Sequence, residues 1–126
     1  MFHFNDQSPI YSQLADQLAE MIFVGTFQAG DQVPSTTQLS RELNINPATV
    51  LKGMNQLVDK GLLVKKRGRG MFVTEDAQAQ ITKQRKDHFY TDYVKSMVVE
   101  AKRLGLSEEH LINLIKRGYQ DEKTSH

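Results

Sequence analysis

No cysteine occurs among the 126 residues. That absence excludes a disulfide framework, a thiolate metal site and a cysteine nucleophile, and it is compatible with a reducing compartment. No apolar run approaches the roughly 20 residues that span a bilayer. The N-terminus has neither the basic stretch nor the apolar core of a signal peptide, so a cytoplasmic protein with no membrane partner is expected. The four histidines, His3, His88, His110 and His126, are scattered, with no i,i+4 pair and no carboxylate in a ligand pattern, so no metal is expected. A serine–histidine–acid grouping, a glycine-rich nucleotide loop and paired catalytic carboxylates are also missing. The chain is therefore expected to be neither an enzyme nor a cofactor carrier.

What is present suits a soluble globular protein, with 39% hydrophobic and 25% charged residues in a length that holds one domain, or a small domain and an appendage. The formal net charge of +1 conceals an uneven distribution. Residues 46–74 hold Lys52, Lys60, Lys65, Lys66, Arg67 and Arg69 against Asp59 alone, a local net of +5, whereas nine basic and nine acidic residues balance over 75–126. A basic patch confined to one segment marks where a polyanion would lie.

Ser8-Pro9 signals a helix start, with Ser8 as candidate cap and Pro9 at the first position. Ile10, Leu14, Leu18, Met21 and Ile22 follow at helical spacing, and this first helix is expected to end near Gly25. Gly30-Asp31 marks a turn and Pro34 bars a helix from crossing it. Ser35, three residues before Gln38, has capping-box spacing and opens a short second helix with Leu39 and Leu43 inward. Asn44 suits the left-handed position after its end. Asn46-Pro47 then opens a third helix, cap and first-turn proline in order, and the pair make a tight helix-turn-helix. Gly61 ends the third helix. Residues 62–66 and 71–74 are strand candidates around Arg67-Gly68-Arg69-Gly70, whose glycines supply the positive φ of a hairpin. This is a wing.

Residues 75–104 contain neither proline nor glycine and read as one long helix, with a stripe through Ile81, Phe89, Tyr93, Met97, Ala101 and Leu104. Gly105 stops it. Ser107 caps a last helix, Glu108 and Glu109 complement its dipole, and Leu111, Leu114 and Ile115 form its buried face, with fraying expected after Tyr119. Two amphipathic helices cannot enclose a core alone, and a second copy of the chain is the simplest partner. The fold class is thus mostly α with a small β-wing: a winged helix-turn-helix over residues 1–74, then a helical dimerisation segment over 75–126.

On the third helix Val50, Met54, Leu57 and Val58 share one side, with Leu51 at its margin and assigned to the core. Ala48, Thr49, Lys52, Asn55 and Gln56 face outward, as a recognition helix entering the major groove requires. Thr49 suits a phosphate or base edge, the Ala48 methyl suits a thymine methyl, and Lys52 suits guanine acceptors or a phosphate. Asn55 and Gln56 have the amides that read adenine, one turn deeper. Gly53 is a weak point in the helix unless another backbone approaches closely there. In the wing, Gly68 lets the backbone come near, Arg67 and Arg69 suit a narrow minor groove, and Lys65 and Lys66 suit phosphates. The hydroxyls of Ser35, Thr36 and Thr37 stand at a helix start, where free amides attract a phosphate.

These motifs resemble the GntR family of winged-helix transcription regulators. The resemblance covers residues 8–74 and rests on Pro9-Ile10-Tyr11, on the stretch from Gly25 to Ser35, on Asn46-Pro47-Ala48-Thr49-Val50 and on the wing from Arg67 to Val73. The two-helix tail resembles the YtrA-like branch. The resemblance implies a sequence-specific homodimeric regulator, a repressor of its own promoter or of a neighbouring operon, often one for an ABC transporter, on a roughly palindromic double-stranded operator. It carries DNA contact onto Ser35, Thr37, Thr49, Lys52, Arg67 and Arg69. Thr37 departs from the pattern, since the family usually has an arginine there, and the loss of a guanidinium removes a bidentate contact.

The family senses small molecules, but this tail is too slight to hold a drug-sized pocket alone. Phe89, Tyr90 and Tyr93 are candidates either for an effector site between winged domain and tail or for dimer core. A non-specific or architectural DNA binder is the alternative function. A detached half of an aminotransferase-fused regulator is a further one, against which the absence of any aminotransferase-like segment argues.

Overall fold

A computed structural model describes residues 2–121. The chain forms two compact units that divide between Gln84 and Arg85.

In the first unit, helix α1 (Ile10–Phe23) is followed by α2 (Thr36–Leu43), α3 (Pro47–Asp59), strands β1 (Leu63–Lys66) and β2 (Gly70–Val73), and most of α4 (Ala77–Phe89). Leu14, Leu18 and Ile22 of α1, Leu39 of α2, and Val50, Met54 and Leu57 of α3 are all but inaccessible, and they form one core with Val33, Leu62, Leu63, Val73, Ala77 and Ile81. Burying each large aliphatic side chain stabilises by about 1.5–3 kcal/mol, so the core is set by residues from every element of this unit. Ala77 and Ile81 belong to it, which ties the start of α4 to the winged domain.

The N-terminus departs from expectation. Pro9, not Ser8, stands at the N-cap of α1, and no side chain caps the helix. The preceding residues are held instead by two glutamines one turn apart. Buried Gln13 accepts from the Asn5 amide and donates to the carbonyls of Asn5 and Ser8, at 2.7–2.9 Å. Gln17 exchanges the same kind of pair with the backbone of His3. Ser8 thus contributes its carbonyl, not its hydroxyl.

Helix α2 is capped as its sequence implies, because the Ser35 side chain accepts from the Gln38 amide at 3.0 Å. The reciprocal half of the box is not made, since the Gln38 side chain turns to Glu42. Asn44 adopts φ 55° and ψ 49°, the left-handed end expected of it. Asn46 caps α3 through the Ala48 amide with Pro47 at the first position.

Strands β1 and β2 pair antiparallel with Leu63 opposite Val73 and Lys66 opposite Gly70. A third, short edge joins them: Gln32 bridges Phe72, Val33 donates to Met71, and Val73 donates to Asp31. This edge has no signature in the sequence, because a bridge this short has no alternating pattern to read.

The expected single helix over 75–104 begins instead at Ala77 and is interrupted. Residues Tyr90–Val94 form a wide π-turn, closed by the Lys95 amide on the Tyr90 carbonyl, before α5 (Lys95–Arg103). In the second unit α5 and α6 (Glu108–Asp121) are joined through Gly105 at φ 73°, and Ser107 caps α6 by accepting from His110. The fraying expected after Tyr119 concerns mainly residues 122–126, outside the described residues, since α6 itself continues to Asp121. The face assigned to Leu111, Leu114 and Ile115 is not buried within one chain: Leu111 and Leu114 are half-buried and Ile115 is exposed. Among the described residues no helix is long and apolar enough to cross a membrane.

Candidate nucleic-acid interface

Three elements of the first unit carry the candidate contacts. At the start of α2, Ser35 and Thr37 are exposed. Thr36 turns inward, its hydroxyl donating to the Met54 sulfur at 3.6 Å, and this ties α2 to α3. Ser35 has its oxygen engaged as a cap but keeps a hydroxyl proton to donate.

Helix α3 buries Val50, Gly53, Met54 and Leu57 and exposes Ala48 and Lys52, with Thr49, Asn55 and Gln56 half-buried. The Lys52 ammonium lies 4.2 Å from the centre of the Tyr11 ring, a cation–π contact that lays the side chain along the helix surface. Gly53 explains how Tyr11 comes so near. A Cβ at Gly53 would meet the Tyr11 carbonyl oxygen at 2.7 Å, so only glycine lets α1 cross α3 here. The close backbone approach is the reason for a glycine in mid-helix. Gln56 is less available than its sequence position suggests: its side-chain oxygen is buried without a hydrogen-bond partner, and adenine readout needs both amide atoms in the groove.

Leu51 is the clearest correction on this helix. The helical pattern places it in the core, but it is 39% exposed and lines a shallow groove with Ala48, Lys52, Asn55 and Tyr11. Helical phase explains the error, because position 51 lies between the two faces and no local signal assigns it to either.

The wing holds its four cations differently. Lys65, Lys66, Arg67, Gly68 and Arg69 are all exposed. The Arg69 amide closes the loop on the Lys66 carbonyl at 2.8 Å, with Gly68 at φ 74°. Lys66 and Arg69 both rest against the Phe72 ring, at 4.6 and 5.4 Å from its centre. The Gln32 side chain donates to the Arg69 carbonyl at 2.7 Å and occupies the space a Cβ at Gly70 would need. Tyr11 and Gln32 were not singled out as site residues. Each acts on a residue more than 35 positions away, which no local pattern reveals.

Phe89, Tyr90 and Tyr93 lie at the π-turn of the second unit, 56%, 63% and 66% exposed, with the Phe89 and Tyr93 rings tilted and 5.4 Å apart. Among the described residues no group of three or more histidines and carboxylates could hold a metal ion.

A capped helix-turn-helix followed by a cation-rich hairpin is matched over residues 10–73 by the family model described as "Bacterial regulatory proteins, gntR family". The chain belongs to the GntR family. It is 30% identical over 116 residues to the HTH-type transcriptional repressor YtrA of Bacillus subtilis, an alignment that covers 92% of this chain and 88% of that protein. The structure of a GntR family transcriptional regulator from Listeria monocytogenes superposes with a TM-score of 0.69 at 29% identity, covering 90% of this chain and 98% of that one. The AraR DNA-binding domain, solved in complex with operator ORX1, matches 57% of this chain and 93% of its own length at 25% identity and a TM-score of 0.54. The fold is therefore that of the GntR winged-helix regulators. The chain is a DNA-binding transcription regulator and not an enzyme.

Proposed function

We propose that this GntR regulator is a cytoplasmic homodimeric repressor that reads a roughly palindromic operator in its own promoter or beside a neighbouring operon, an ABC transporter operon being the first candidate. The observation that carries the reading is the shared exposure of Ala48 and Lys52 on α3 and of four cations on the adjoining wing, in a chain similar over nearly its whole length to the repressor YtrA.

In this reading the N-terminal half of α3 enters the major groove with Ala48, Thr49 and Lys52 against the bases or the nearest phosphates. Ser35 and Thr37 donate to a phosphate at the start of α2, where unpaired amides favour an anion, while Thr36 serves the packing. Lys65 and Lys66 neutralise phosphates, Gly68 keeps the wing tip close to the backbone, and Arg67 and Arg69 reach the minor groove. Residues 75–126 join two copies and set the recognition helices roughly 34 Å apart, one turn of DNA. Phe89, Tyr90 and Tyr93 belong to the dimer core in this reading, and an effector pocket beside them is the alternative use of the same rings.

The test is selection of bound duplexes from a random pool at near-physiological salt. An enriched palindrome supports a specific dimeric regulator, and its occurrence beside the gene gives the target. A pool that stays random, with steep salt dependence, favours the non-specific binder instead.

A further inference from the structure

We propose that Leu51 is a base-reading residue that seats its side chain against the C5-methyl of a thymine in the operator. The proposal rests on α3 being the recognition helix. Leu51 stands outside the buried cluster that takes Val50, Met54 and Leu57, and it remains 39% exposed on the helix that carries Ala48 and Lys52. It follows Ala48 by three residues and precedes Asn55 by four, spacings that put all three on neighbouring turns of one surface. The three share a groove with Lys52.

The chemistry of the major groove leaves one occupant for such a side chain. Every base edge there presents hydrogen-bond donors or acceptors, and thymine alone adds an apolar group. A leucine offers nothing to a donor or acceptor and would desolvate it without return. Against a methyl group it excludes water from both surfaces. Lys52, the next residue, holds its ammonium against the Tyr11 ring at 4.2 Å in the same groove, so the cation has a partner there other than the Leu51 side chain. Ala48 has a smaller methyl on the same surface, so the apolar strip on α3 has a long reader and a short one.

The experiment replaces each thymine of the selected operator by deoxyuridine, which removes only the C5-methyl and keeps the base pair. Wild-type protein is expected to lose about fourfold in affinity at one thymine of each half-site, the worth of one buried methyl group. Leu51→Ala should bind the thymine operator less tightly and no longer distinguish thymine from uracil at that position. Leu51→Met, apolar and of similar reach, should restore the distinction. Thermal melts of both variants check the fold, which an exposed helical position filled by alanine or methionine should preserve.

A wild-type protein indifferent to uracil at every position overturns the proposal, as does a Leu51→Ala variant that keeps the wild-type ratio. In either case, specific binding by the wild type leaves the DNA-reading function standing. If the wild type binds all duplexes alike, the function falls and Leu51 with it.

Discussion

Lys52 is the residue whose role a single substitution decides. Held 4.2 Å over the Tyr11 ring, it can swing to a guanine or stay along the helix and meet a phosphate. Lys52→Ala should weaken specific binding by about 1–3 kcal/mol and relax selection at one base pair if it reads a base. An equal loss on every duplex in a titration series assigns it to phosphate. Gly53 offers a sharper stability test. Alanine is the better helix former by about 1 kcal/mol, yet its Cβ would stand 2.7 Å from a backbone oxygen that cannot rotate away. Gly53→Ala should therefore lower Tm, with a net cost of about 1–3 kcal/mol; a higher Tm would mean that α1 can withdraw. Asn44 and Asn46 were legible from sequence because a left-handed end and a cap are local events. The partners of Lys52, Gly53 and Gln32 were not, since each is brought in by the fold from another element.

Among elements, α2 depends most on its ends, having only eight residues and one fully buried side chain. Ser35→Ala removes the acceptor for the Gln38 amide and should cost about 1 kcal/mol, read from chemical denaturation. The wing depends on Gln32. Gln32→Ala frees the Arg69 carbonyl, and the hairpin tip loses the brace that positions its arginine. DNA affinity should fall severalfold while the slope of binding against salt stays unchanged, because no phosphate contact is removed. A changed slope would mean that Arg69, freed from its brace, had been neutralising a phosphate. The helix-turn-helix and the two wing strands could be read from their punctuation, while the edge at Gln32 and the π-turn had no compositional mark.

For the molecule as a whole, the sequence division at residue 74 and the structural division after Gln84 suggest different truncations. Ala77 and Ile81 are buried in the core of the winged domain, so a cut at 74 would damage what it is meant to isolate. A chain ending at Gln84 should fold and sediment as a monomer, whereas the full chain should be a dimer. A dimeric truncation would remove the tail from that role. Of the exposed apolar side chains of α6 that motivate the test, Ile115 belongs to the stripe legible in the sequence, whereas Ile112 and Tyr119 lie outside it.

The wide turn at Tyr90–Val94 also settles an angular phase. Side chains four apart in an α-helix, as Phe89, Tyr93 and Met97 are, drift around the axis by about 40° at each step, because four residues exceed one turn of 3.6. A π-turn takes more residues for each revolution and rotates the following side chains back. It therefore works as a phase corrector that keeps Phe89, Tyr93 and Met97 on one side of the helix they share. Deleting any one residue between 90 and 94 would close the turn to an ordinary helix and leave the side chains beyond it facing almost the same way, because the wide turn already absorbs the extra residue.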